Sequence, residues 1–160
     1  MQPEKTILIL IIAAALLVPA AAAHDLRAET ADQITVSSIP DGLIDLDKFK
    51  IGIRSVGGTI YPSEWDLINK YIPSNVETIE VYLDWSGHSG GPYSVALTIY
   101  PPGNNGHFGP YYDSADGRSD EKITLSFSDS SGLPSGTWQF YVFGDDVPAS
   151  GISYTLNVVY

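Results

Sequence analysis

The stretch Gly136-Thr-Trp-Gln-Phe-Tyr-Val-Phe-Gly-Asp-Asp-Val-Pro-Ala-Ser-Gly-Ile-Ser-Tyr-Thr-Leu-Asn-Val-Val-Tyr160 holds two runs of alternating side chains around a polar middle. Trp138, Phe140 and Val142 alternate with Gln139, Tyr141 and Phe143, the two-residue period of a half-buried strand. Tyr154, Leu156 and Val158 alternate in the same way with Thr155, Asn157 and Val159. The Gly, Asp, Pro and Ser residues between them mark a turn, so the stretch reads as two aromatic-rich antiparallel strands joined by it. A strand pair alone is marginal in water and needs another sheet over its apolar face.

The residues upstream are read as that sheet. Ile123, Leu125 and Phe127 predict one strand, and Val95, Leu97 and Ile99 within Ser94–Tyr100 another. Thr78–Trp85 has the cleanest alternation, with Ile79, Val81, Leu83 and Trp85 inward and Thr78, Glu80, Tyr82 and Asp84 outward. Trp65–Tyr71, Phe49–Ile53 and Gln33–Ile39 are further strands, with a short one near Gly109–Tyr112. Pro40-Asp41-Gly42, Gly57-Gly58, Pro73-Ser-Asn75, Ser86–Pro92 and Pro101–Gly106 separate them as turns and loops. No stretch after residue 23 shows the i, i+3, i+4 period of a helix. Regularly spaced strands with turn signals between them predict an all-β fold: a two-sheet antiparallel β-sandwich, jelly-roll-like, behind a signal-peptide helix.

Residues 1–23 are read as that signal peptide. Lys5 precedes an apolar run from Ile7 to Val18, and Pro19 leads into Ala20–Ala23, a small-residue cleavage region. Thr6–Ala23 is only just long enough to span a bilayer, so an uncleaved anchor is the competing reading and the one route to a membrane. The division expected is 1–23 signal peptide, 24–52 leader and N-terminal strands, and 53–160 sandwich. The chain carries 19 Asp and Glu against 8 Lys and Arg, a net charge of −11. That balance excludes nucleic acid as a partner, because phosphates need a basic face. With no cysteine, the fold has no disulfide staples. Every aromatic residue lies beyond residue 23, as material for the core.

Ile60-Tyr-Pro-Ser-Glu64-Trp65, Val76–Trp85, Val95-Ala-Leu-Thr-Ile-Tyr-Pro-Pro102, Gly136-Thr-Trp138, Val142-Phe-Gly144 and Tyr154-Thr-Leu156 follow one another in order and spacing. Together they resemble the bacterial and archaeal pre-peptidase C-terminal domain, related to the collagen-binding modules of secreted collagenases. The resemblance covers roughly residues 53–160 and implies a secreted, non-catalytic, jelly-roll-like sandwich. Members of that family are usually appended to a protease or a large surface protein. These 160 residues depart from the pattern in that no catalytic domain is read within them, and in carrying Pro62-Ser63 where Gln-Gly is usual.

Three chemistries compete with a purely structural reading. Gly87-His88-Ser89-Gly90-Gly91 matches the G-x-S-x-G nucleophile elbow, but that elbow needs a helix after the serine, and Pro92 with an alternating strand follows. His24, His88 and His107 lack the convergence that zinc requires. Calcium is the cofactor the acids point to. Asp113, Asp116, Asp120 and Glu121 crowd one loop, and Asp41, Asp45 and Asp47 another, and a hard cation takes clustered oxygens. Solvated turn acids explain the same letters. The aromatics outside the inward rows are Tyr82, Tyr100, Phe108, Tyr111, Tyr112, Tyr141 and Phe143. Of these, Phe108, Tyr111 and Tyr112 are the expected binding face, and the second sheet or the N-terminal strands are expected to cover Tyr141 and Phe143.

The function expected is a secreted or cell-surface, non-enzymatic module that binds an extracellular glycan or protein. The alternative is a structural subunit of an envelope layer or filament, self-assembling through sheet edges with His24–Ile39 as the pairing segment.

Overall fold

The structure, a computed structural model, describes residues 34–39, 56–103 and 106–160. The expected export segment, the strand over Phe49–Ile53 and the Asp41, Asp45 and Asp47 cluster lie outside these residues. Among the described residues, nine strands run in chain order: β1 (Thr35–Ser38), β2 (Val56–Ile60), β3 (Trp65–Ile72), β4 (Thr78–Asp84), β5 (Ser94–Tyr100), β6 (Phe108–Tyr111), β7 (Lys122–Ser128), β8 (Gly136–Asp146) and β9 (Ile152–Val159). One turn of 3-10 helix, Asp113–Asp116, sits between β6 and β7.

Two antiparallel sheets form, ordered β1-β7-β4-β9-β2 and β3-β8-β5-β6. β2 pairs with β9, β3 with β8, β4 with β7 and β5 with β6. That nesting is a long hairpin rolled over on itself, the connectivity of a jelly roll. β1 adds a fifth strand beside β7. It falls before residue 53, yet it is an edge of the same sandwich.

β8 and β9 do not form the hairpin expected of them. β8 pairs with β3 and β5 in one sheet, and β9 with β2 and β4 in the other. Their connection crosses from sheet to sheet, and burial explains why. The inward rows Trp138, Phe140, Val142 and Tyr154, Leu156, Val158 are all buried and share one core. A hairpin would put both rows on the same side, with nothing opposite. Gly57-Gly58, expected as a turn, lies inside β2.

The core is the space between the sheets. Trp85, Trp138, Phe127 and Phe140 are its largest fully buried side chains. Each indole has its N–H satisfied, Trp85 Nε1 by the Tyr93 carbonyl at 3.1 Å and Trp138 Nε1 by the Pro134 carbonyl at 2.9 Å. Burying a Trp is favourable only on that condition. Phe108, Tyr111 and Trp138 all meet Phe127 edge to face, which joins β6, β8 and β7 across the sandwich. Outside the five-stranded sheet, Ile39 covers Tyr82 and Val159.

Candidate functional site

β3 places its side chains against the usual rule. Its inward row is Asp66, Ile68, Lys70 and Ile72, and its outward row is Trp65, Leu67, Asn69 and Tyr71. The larger rings therefore face solvent: Trp65 is 56% exposed and Tyr71 66%, while Lys70 is 7% exposed. Asp66 lies under the sheet, where its carboxylate accepts the Tyr154 hydroxyl. Large apolar groups left outside a sheet on regular alternation are a candidate interaction surface.

Register builds that surface. Trp65 lies opposite Phe143, Leu67 opposite Tyr141, Asn69 opposite Gln139 and Tyr71 opposite Thr137. On the far side of β8, Phe143 pairs with Ala96, Tyr141 with Thr98 and Gln139 with Tyr100. Directly opposed residues in an antiparallel pair share a face, so all eleven point to the outer side of the four-stranded sheet, where Ala96 and Thr98 are nonetheless buried. The Trp65 and Phe143 ring centroids are 4.3 Å apart at 31°, and Trp65 meets Tyr141 edge-on at 6.3 Å. Tyr141 meets Tyr100 edge-on at 5.3 Å, and Tyr100 lies 5.2 Å from the His107 ring. A path of touching rings thus crosses the sheet from Phe143 through Trp65, Tyr141 and Tyr100 to His107.

The binding face expected at Phe108, Tyr111 and Tyr112 is not what forms. Phe108 is 2% exposed and Tyr111 8%, both in the core against Phe127. Only Tyr112 is exposed. β6 is an edge strand of four residues, and its two rings are needed to close the end of the sandwich over Phe127. Burial pushes the Tyr111 phenol up to about 12. Tyr141, Phe143 and Tyr100, over which no second layer lies among the described residues, form the outer face instead. Trp65 and Tyr71 were missing from the expected set. The signal for them was the charged inward row, Asp66 and Lys70, alternating with them.

Three of the four loop acids assigned to calcium act on the backbone. Asp113 Oδ1 accepts the N–H groups of Asp120, Glu121 and Lys122 at 3.0, 2.7 and 3.2 Å. Asp116 is buried, accepting the Arg118 N–H on Oδ1 at 3.1 Å and the Thr124 N–H on Oδ2 at 3.0 Å. Burial pushes its carboxyl above the usual range, and those two N–H groups pull the other way. Glu121 Oε1 accepts the Tyr93 N–H at 3.2 Å, and Glu121 itself is left-handed at φ 63°. Asp120 is exposed. Among the described residues, no group of three or more His, Cys, Asp or Glu side chains is gathered to hold a metal ion.

Around Ser89 the chain runs from β4 through a loop into β5, a strand where the nucleophile elbow has its helix. His88 Nε2 is 3.0 Å from the Ser153 carbonyl, and the Ser89 carbonyl accepts the Tyr93 hydroxyl at 3.0 Å. No helix among the described residues is long and apolar enough to cross a membrane. The class of molecule the fold defines is an antiparallel jelly-roll sandwich. No family model matches the chain, and no curated protein matches it either.

Proposed function

We propose that this protein is a non-catalytic β-sandwich module of the cell exterior, and that it holds an extended polymer against the outer face of its four-stranded sheet. One observation carries this reading: Trp65, Tyr141, Phe143 and Tyr100 form a contiguous ring surface on a rigid sheet, with no layer of the described chain over it. Rigid aromatic side chains give up little conformational freedom on binding, so such a surface binds without an ordering cost. The export-type segment at 1–23 and the motif order over 53–160 point the same way, toward a secreted and passive sandwich.

Assembly through sheet edges, the alternative, finds less support. β1, β2 and β6 are edges of four or five residues, and β6 contains Pro110, which has no N–H to donate. β3 is a long edge of eight residues, but the inward-pointing Lys70 is a guard typical of edges that do not pair.

Co-sedimentation of the purified protein with insoluble extracellular polymers, polysaccharide and protein, tests the reading. Binding to one of them that Trp65→Ala and Tyr100→Ala each weaken is expected. Retention that neither substitution changes would remove the sheet face from the mechanism.

A further inference from the structure

We infer that the ligand of this face is an uncharged glycan chain, lying along the ring path between Trp65 and Tyr100 with its hydroxyl groups against Asn69 and Gln139. The inference rests on the binding role proposed above and adds the chemical class of the ligand.

Charge is the first argument. The eleven outward residues, Trp65 to Tyr71 on β3, Thr137 to Phe143 on β8 and Ala96 to Tyr100 on β5, contain no acid and no base. That is a large blank in a chain with 19 acidic and 8 basic residues. The next outward position along β8 is Asp145, an acid, whose carboxylate takes the Ser94 hydroxyl at 3.0 Å. A net charge of −11 repels an anionic polymer, and the face offers no cation to offset that repulsion. A cationic partner would find no carboxylate within the face. The surface matches a neutral ligand.

Side-chain chemistry is the second argument. Apart from Leu67 and the buried Ala96 and Thr98, the face carries only aromatic rings, two amides and the Thr137 hydroxyl. A pyranose ring has an apolar face of C–H groups that lies flat on an aromatic plane, and an equatorial rim of hydroxyls that donate and accept. Asn69 and Gln139 are cross-strand partners, and Gln139 is also opposite Tyr100, so amides and ring form one row across three strands. Amides donate and accept at once, as a hydroxyl rim requires.

Rigidity is the third. Trp65 is stacked on Phe143 and wedged by Tyr141, and Tyr141 in turn is wedged by Tyr100. The platform is assembled before the ligand arrives. Protein interfaces are enriched in Arg and Met as well as in aromatic rings, and none of the eleven residues is either.

The test is calorimetry on the full protein with soluble neutral polysaccharides (hydroxyethyl cellulose, xyloglucan and galactomannan). Polygalacturonate serves as the anionic arm, gelatin as the protein arm, and sizing chromatography follows self-association. Binding to at least one neutral glycan is expected, with affinity unchanged when salt is raised about tenfold, because no ion pair takes part. Trp65→Ala and Gln139→Ala should each weaken it by about tenfold or more, while Thr155→Ala on the opposite sheet leaves it intact. Circular dichroism confirms that each variant folds; the exposure of Trp65 makes that the expected result. Binding only to polygalacturonate or gelatin, sensitive to Trp65→Ala, overturns the glycan assignment and leaves the binding face standing. Blanks in every arm, or a dimer that Trp65→Ala dissolves, overturn both.

Discussion

Single side chains hold this molecule together where its strands stop. Asp113 gathers three consecutive N–H groups on one oxygen, and thereby sets the path from the 3-10 turn into β7. Asp113→Ala leaves those donors to water or to nothing, so we expect a loss of about 1–3 kcal/mol in urea unfolding. Gly144 is there for space: a Cβ would lie 2.3 Å from the Tyr61 carbonyl oxygen. That approach is what lets the Gly144 carbonyl accept the Ser63 N–H at 2.7 Å, and the Gly144 N–H reach the Glu64 carbonyl at 3.1 Å. Gly144→Ala should cost about 1–3 kcal/mol and open the turn before β3, read as a lower melting temperature.

Titration is also a matter of single residues. The Asp116 carboxyl is raised in the folded protein above its ordinary 3.8, so the folded state favours its protonated form. Its contribution to stability is complete below that ordinary value and is lost as pH rises through the raised one. Unfolding free energy measured across that window should fall less in Asp116→Asn than in wild type. The same sign governs Tyr111, whose phenol moves from 10.0 to about 12 by burial. Stability present below pH 10 is lost on the way to about 12, and Tyr82 and Tyr154, also raised by burial and by Glu80 and Asp66 respectively, add to the loss. Phenolate absorbance should therefore lag a model tyrosine and then rise with unfolding. Tyr111→Phe should push that unfolding to higher pH.

At the level of elements, β8 is the busiest. Its eleven residues pair with β3 and β5, bury Trp138, Phe140 and Val142 on one side, and show Tyr141 and Phe143 on the other. Trp138→Ala removes a fully buried ring that touches Phe127 and a satisfied N–H, and should cost about 3–5 kcal/mol. Amide exchange should be slowest in β4, β5, β7, β8 and β9, which have a strand on each side, and fastest in the short edges β1 and β6. Uniform exchange along the chain would contradict this layering. β3 does two jobs with one pattern: its charged row lies under the sheet and its ring row lies above it.

The whole molecule is organised by non-local pairing. Val56 lies opposite Leu156 and Trp65 opposite Phe143, so strands near each end of the sandwich must meet before either is covered. Folding of such a topology is slow, on the order of milliseconds to seconds. The period-two runs over Thr78–Trp85, Ser94–Tyr100, Ile123–Phe127 and the last two strands were legible in the amino-acid order. Alternation is a property of neighbours along one chain, and turn residues mark its ends. So was the sandwich itself, because half-buried strands with no helix to cover them must cover one another.

Amino-acid order alone therefore determined that this is a two-layer β protein, most of the strands that compose it though not β2, and which rows of β4 and β8 face inward. Tertiary structure decided the rest. β8 and β9 part into different sheets because their apolar rows satisfy each other only across the core. Phe108 and Tyr111 are drawn inside by Phe127, and Trp65 is left outside because β8 brings Phe143 and Tyr141 to its outer side. Where both rows of a strand carry large or charged side chains, alternation says that two faces exist. Only the partner strand says which face meets water.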